Sequence, residues 1–578
     1  MAREVLLDMY GGCGPDLTGS SMWLTLDNLR IMIDSGDFQW HTSSSAAKNL
    51  INLRNSFEPH MFVKTHGHVD HVIGTLFQQE FGALPKPTNF ITSEITAEQL
   101  KTVFGDALGL QIKKLRIAKA VNAKVGGLRQ ELKKCDDMIT ILTLGGMHNT
   151  NEILENYDRD IADSFSRDDE KKHILKRLLS HYLKKPKKIY KKSKPNESIN
   201  EYIKKRNEVP DNKSVADLRA MMGDINETLE DFGEYRTDYS WRMITPPTVA
   251  EVLKRTFGIP YLQPYTIDKK TWVTATLYPA GHILGSSQVL ISSPQHNILF
   301  SGDLGRIAGT PFLKGPVFPK WVKIDTLVLE STYGERLHKQ SYTDALNQIL
   351  ELQKGAKWDC LVMTIAYQKW PENLVTMLKE GTRNISYFGR TLDDFRHLFL
   401  KYGGDVFREL GSTRLQHWYA LPSHLGTPGS RELICAPSGM WYGWSNDAAR
   451  QMAGNKDSRV IITNFLPEHC PGHKLVHEKK LRTELGEIVP FKWEVFHVAG
   501  TSGHGDQRDL VEAAVRSVRL WVKTIVLNHG GEQREVLDLA IRARLQKEWL
   551  SQPKILIPQN GDQIDLLTGK IGHNLLHK

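Results

Sequence analysis

The chain has 578 residues, 40% hydrophobic and 24% charged, with a net charge of +9; that length implies roughly two to four domains, and the excess of positive charge is a mild argument for a polyanionic partner. No apolar run is long enough for a transmembrane helix, and the first residues, MAREVLLDMYGGCG, lack the charged-then-apolar design of a signal peptide. Five scattered cysteines without a C-x-x-C pair read as reduced thiols of a cytoplasmic protein (nuclear in a eukaryote) and exclude a disulfide framework.

Along the chain, MWLTL (22–26) and LRIMID (29–34) flank a two-residue Asp-Asn turn and predict a hairpin. MFVKTHG (61–67) predicts a third strand that ends in a histidine-rich loop, and TAEQLKTVFGDAL (96–108) has helical spacing. From 109 to 246 the pattern becomes helical. Residues 171–194 carry eleven Lys or Arg and no acid, which predicts a basic arm that tracks RNA, binds a protein partner or is simply solvated. Strand patterns resume at WVTATLYPAGH (272–282), VLISS (289–293), ILFSGD (298–303) and TLVLEST (326–332). Alternating helix and strand patterns to about 489 predict a second α/β domain. WEVFHVAG (493–500) and KTIVLNHGG (523–531) then read as a return to the first.

Chemistry concentrates in Thr65-His66-Gly67-His68-Val69-Asp70-His71. Four potential ligands directly after a strand can converge from one tight loop, and imidazole with carboxylate suits zinc.

This motif resembles the metallo-β-lactamase superfamily. The order expected of that superfamily continues with Asp34 closing IMIDSGD, His282 in YPAGHILGSS and Asp303 in ILFSGDLGR. The resemblance narrows to the β-CASP nucleases through Glu330 in LVLESTYGERLH, His504 in TSGHGDQRDL and His529 in IVLNHGGEQ. TGSS (18–21), AGHILGSS, ESTYGERLH and APSGM (436–440) look most like the RNA-cleaving branch, which holds the cleavage and polyadenylation endonuclease subunit, its prokaryotic relatives and RNase J.

The resemblance implies an αββα sandwich with an inserted α/β domain: sandwich segments at 1–108, 247–335 and 490–578 and a β-CASP domain at 336–489, while the helical patterns of 109–246 read as an additional insertion. It implies two Zn2+ per chain, one held by His66, His68 and His282 and one by Asp70, His71 and His529, with Asp303 bridging. Asp34 would orient the loop from behind the ligands. Asp70, Glu330 and His504 would be the catalytic residues, His504 as general acid oriented by Glu330. Ser438, Gly439, Ser502 and Gly503 could present amides to phosphates, or be plain tight turns. The implied activity is a zinc-dependent ribonuclease, cutting internally or from the 5′ end of a single RNA strand by a two-metal hydroxide mechanism and leaving 5′-phosphate and 3′-hydroxyl. A histidine at the position of His529 favours RNA over DNA within the family. A DNA nuclease and a non-catalytic RNA-processing scaffold are the alternatives. Two departures stand out: the long gap between His71 and His282, and Trp370 in IAYQKWPENL, where relatives carry an arginine.

Overall fold

The structure, a computed structural model, describes residues 4–13, 18–36, 59–80, 88–145, 214–233, 244–381, 385–418, 420–425, 427, 433–437, 444–463, 466, 470–483, 488–492 and 494–573. Residues 1–113 and 239–578 form one unit and 114–238 a second.

The first unit opens with β1 (Val5–Gly11), β2 (Ser21–Leu26) and β3 (Leu29–Ile33). The Asp-Asn turn forms the expected hairpin, with Leu26 opposite Leu29. β4 (Met61–Val63) is shorter than its sequence pattern, because Lys64 to His66 leave the ladder to form the histidine loop. Then follow α1 (Val69–Val72), α2 (Gly74–Glu80), β5 (Asn89–Ser93) and α3 (Glu94–Gly145). The helix expected over 96–108 runs on to Gly145, since no proline interrupts a stretch rich in Leu, Lys and Ala. In the second unit, α4 (Val215–Gly233) is helical as its pattern predicts, and Cys135, Met138, Leu142 and Leu218 are buried. The basic run 171–194 lies outside the described residues.

After α5 (Pro246–Lys254) come β6 (Thr256–Ile259), β7 (Pro264–Asp268), β8 (Val273–Pro279), β9 (Ser287–Ser292), β10 (Ile298–Phe300) and β11 (Thr326–Glu330). A further layer holds α6 (Tyr342–Lys354), β12 (Cys360–Thr364), α7 (Lys369–Lys379), β13 (Ile385–Phe388), α8 (Arg390–Tyr402), β14 (Leu415–Trp418) and β15 (Leu433–Pro437). It continues through α9 (Trp444–Met452), β16 (Arg459–Ile462), α10 (Pro471–Glu478), β17 (Lys480–Arg482), β18 (Ile488–Pro490) and β19 (Glu494–His497). The chain closes with α11 (Gln507–Val518), β20 (Thr524–Asn528), α12 (Gln533–Lys547), β21 (Lys554–Leu556), β22 (Asp562–Asp565) and β23 (Lys570–His573).

Two sheets form the sandwich, ordered β23-β22-β1-β2-β3-β4-β5-β6 and β21-β20-β11-β10-β9-β8-β7. Strand alternation decides what each face buries. Ile31 and Ile33 of β3 and Val328 of β11 face the core between the sheets, whereas Leu327 and Leu329 pack outward against α11 and α12. Burying each such side chain contributes roughly 1.5–3 kcal/mol. The inserted α/β layer is a six-stranded sheet, β14-β13-β15-β12-β16-β19. Its edge strand Glu494–His497 pairs in parallel with Arg459–Ile462, so these residues extend this sheet rather than the sandwich.

Candidate metal centre and active site

Strands β8, β10, β11 and β20 run in one direction, because β8 and β10 are each antiparallel to β9 while β10, β11 and β20 pair in parallel. Their C-terminal ends therefore share one edge. His282, Asp303, Glu330 and His529 all sit at or just beyond those ends. From the other sheet, the ends of β3 and β4 bring Asp34 and the histidine loop. Side chains anchored to strand ends are rigid, while the loops that carry them are free to vary.

The convergence is tight. One ligand atom each from His66, His68, His282 and Asp303 lies within 4.8 Å of the others, and the same holds for Asp70, His71 and His529. Asp303 faces both sets. Its Oδ2 is 3.4 Å from His66 Nε2 and 3.7 Å from His282 Nε2. Its Oδ1 is 3.3 Å from His71 Nε2 and 3.6 Å from His529 Nδ1. Asp70 Oδ2 is 3.8 Å from His529 Nε2.

The residues fit metal. Buried polar atoms are normally hydrogen-bonded, yet His66 Nε2, His71 Nε2, His529 Nε2 and Asp303 Oδ1 are buried with no hydrogen-bond partner. On these three imidazoles the opposite nitrogen is engaged: His71 Nδ1 with Asp34 Oδ2 at 2.8 Å, His66 Nδ1 with Thr65 Oγ1 at 3.0 Å and His529 Nδ1 with Thr332 Oγ1 at 2.8 Å. Such bonds fix the tautomer and leave the other nitrogen's lone pair aimed inward. Asp34 and His529 hold left-handed backbone, with φ of 57° and 51°. Strained residues of this kind cluster at functional sites.

Electrostatics separate the histidines. Burial holds His66 and His282 well below the ordinary imidazole value and brings His68 to about 4, leaving neutral rings suited to ligation. Burial also pulls down on His71, but Asp303 and Asp34 outweigh it and raise it well above. His529 is raised in the same way against its burial, chiefly by the neighbouring Asp303 and Asp70 carboxylates. These carboxylates draw positive charge into the site, a demand that a dication meets as well as a proton.

Beside the cluster, His504 Nδ1 lies 3.1 Å from Glu330 Oε1 and its Nε2 lies 3.9 Å from Asp303 Oδ2. Glu330 also accepts the amides of Leu304 at 3.0 Å and Thr332 at 2.8 Å, so its carboxylate is held fixed. Burial alone would lower the His504 imidazole; the charge and hydrogen bond of Glu330, with Asp303 and Asp70, outweigh it and raise it.

Ser502 Oγ accepts from the His504 amide at 3.3 Å. Gly503 packs so close that a Cβ would stand 2.6 Å from the His282 carbonyl oxygen, which explains a glycine there. Ser438 and Gly439 lie outside the described residues. Trp370 is fully buried in the core. It is Tyr367 that reaches the site, its ring 5.3 Å from that of His68. Thr65, Thr332 and Tyr367 carry no motif of their own; only their neighbours in sequence pointed to them.

The two-sheet sandwich with its inserted α/β layer is the metallo-β-lactamase fold in its β-CASP form. No protein-family profile matches the chain. It is similar to transcription termination factor FttA of Pyrococcus horikoshii, 26% identical over 333 residues, covering 51% of this chain and 49% of the relative. It is also similar to ribonuclease TTHA0252 of Thermus thermophilus, 26% over 280 residues, with 44% and 62% covered. Cleavage and polyadenylation specificity factor 73 of Drosophila melanogaster is 23% identical over 321 residues, with 50% and 44% covered. The chain thus spans about half the length of the curated relatives it matches, and its resemblance is to β-CASP metallo-β-lactamase proteins.

Proposed function

We propose that this chain is a zinc-dependent ribonuclease that hydrolyses phosphodiester bonds of single-stranded RNA, leaving 5′-phosphate and 3′-hydroxyl. The observation that carries the reading is Asp303, one carboxylate set between two clusters of inward-facing ligand atoms, with the His504–Glu330 pair beside it.

His66, His68 and His282 would hold one zinc, and Asp70, His71 and His529 the other, with Asp303 between them. Metal ions held there supply positive charge for the scissile phosphate and make water nucleophilic at neutral pH. Asp34 orients His71 directly and His66 through Thr65. Glu330 takes the Nδ1 proton of His504 as a hydrogen bond, which leaves the Nε2–H directed at the metal side of the site. From there it can pass its proton to the departing 3′ oxygen, a general-acid role. The Ser502 hydroxyl holds the His504 backbone amide, and Ser502 and Gly503 would offer their amides to the phosphate.

RNA is favoured as substrate by the names of the relatives, which include a ribonuclease, and by His529 at the position where a histidine goes with RNA. Among the described residues no helix is long and apolar enough to cross a membrane. Cys13, Cys135, Cys360 and Cys470 are unpaired and buried, which fits a reducing cytoplasm.

The test uses single-stranded RNA labelled at either end, with DNA of the same sequence as control. Zinc-loaded protein should cut RNA and not DNA, and an Asp70→Ala, His71→Ala variant should cut neither. Zinc-loaded protein that leaves RNA intact would overturn the reading.

A further inference from the structure

Four tryptophans sit where folding gains little from them. Trp272, Trp321, Trp521 and Trp549 are 76%, 95%, 60% and 95% exposed, and each has left-handed backbone, with φ of 57°, 63°, 68° and 57°. That conformation is costly for any residue with a Cβ and free for glycine.

Two of them close helices. At the end of α11 the Trp521 amide donates to the Val518 carbonyl at 3.0 Å and the Val522 amide to Ser517 at 3.3 Å. At the end of α12 the Trp549 amide donates to Gln546 at 3.1 Å and the Leu550 amide to Leu545 at 3.0 Å. Both are Schellman closures, whose left-handed position is ordinarily glycine. A large apolar side chain that is both strained and unburied is not explained by stability.

All four share one edge. Trp272 directly precedes β8, and Trp321, Trp521 and Trp549 lie in the turns that enter β11, β20 and β21. These strands run in one direction, so the turns line the edge opposite the one that carries His282, Asp303 and His529. Backbone bonds tie neighbouring turns together: Ile324 amide to Leu520 at 3.1 Å, Lys523 amide to Asp325 at 3.0 Å and Lys554 amide to Lys523 at 2.8 Å.

Lys269, Lys320, Lys523 and Lys547 stand exposed in or beside these turns with no ion pair among the described residues. The acids between them are already engaged, Asp325 with Lys323 and Glu548 with Arg519 and Arg544. Open aromatic faces interleaved with unpaired ammonium groups suit a single nucleic-acid strand, whose bases stack while its phosphates pair. Lysine is depleted at protein interfaces, even though tryptophan is enriched there.

We propose that this edge is a platform for single-stranded RNA, separate from the metal centre. The proposal rests on the reading of the chain as a ribonuclease. Its test is fluorescence anisotropy of labelled oligouridylate with the full chain in EDTA, so that no cleavage is needed, comparing wild type with Trp521→Gly, Trp549→Gly. Glycine suits both positions, and an unchanged or raised melting temperature shows that the fold is kept. RNA affinity should fall ~10-fold or more for each tryptophan removed. In zinc, the variant should show a raised KM with kcat preserved. Unchanged affinity in the folded variant would overturn the platform. So would wild-type binding to phosphatidylserine vesicles that the variant loses while it keeps its RNA affinity. If wild type binds RNA in EDTA but never cleaves it, the ribonuclease reading fails and the platform stands.

Discussion

Asp34 Oδ2 lies 2.8 Å from His71 Nδ1 and 2.7 Å from the Thr65 hydroxyl, whose oxygen in turn lies 3.0 Å from His66 Nδ1. One carboxylate thereby orients a histidine in each of the two ligand clusters while itself lying behind both. Its φ of 57° suits Asn nearly as well as Asp. Asp34→Asn should therefore fold, keep its two sheets and lose roughly 10–100-fold in zinc affinity. Isothermal titration would measure this; an unchanged affinity would remove Asp34 from the account.

Loss of the acid should separate chemistry from metal binding. His504→Ala and Glu330→Gln should retain full zinc content, because neither residue belongs to a ligand cluster. Cleavage should drop about 10²–10⁴-fold, the usual contribution of a positioned acid. If zinc is lost together with activity, His504 is a ligand and the assignment is wrong.

Metal should stabilise the fold by mass action. Zinc at 100 times its dissociation constant adds about 2.7 kcal/mol for one site. Thermal melts should shift upward with zinc and downward with chelator. The apo protein should still melt cooperatively, since the core between the sheets is built of aliphatic side chains that need no metal.

A pH dependence arises away from the metals. Glu372 is fully buried, and burial raises its carboxyl from 4.5 to about 7, against smaller opposing effects from Tyr342 and Gln368. Between those values the folded state binds a proton that the unfolded state has released. The Glu372 contribution to stability therefore falls as pH rises from about 4.5 to about 7, by ~3 kcal/mol, whatever the slope that the buried histidines add. Glu372→Gln should flatten that slope in denaturant titrations run at several pH values. A wild-type slope that is unchanged in the variant would refute the assignment.

The residues that meet at the site are those that the strand-end motifs single out. Each lies within a few positions of a run such as FVKTHGH or ILFSGD, where apolar alternation stops and polar ligands begin. What remained illegible depends on long-range contact. Thr65 and Thr332 become orienting groups only because imidazoles approach them. Nothing local in IAYQKW separates a Tyr367 that faces His68 from a Trp370 that is buried. Helix α3 outran its expected end because helix propensity and the burial of Cys135, Met138 and Leu142 carry it to Gly145. Glu494–His497 reads as a strand, but which sheet receives it is settled by its partner, Arg459–Ile462. Exposure of Trp521 and Trp549 is likewise invisible in sequence, where an apolar residue next to a helix end suggests burial.

The most direct test of the account is the zinc stoichiometry of the purified chain, by equilibrium dialysis with elemental analysis, beside that of Asp303→Asn and His71→Ala. The arrangement around Asp303 predicts two zinc ions in wild type, one in His71→Ala, and weakened binding at both positions in Asp303→Asn. A wild-type protein that saturates at a single ion, or an Asp303→Asn variant that holds two as tightly as wild type, would contradict it.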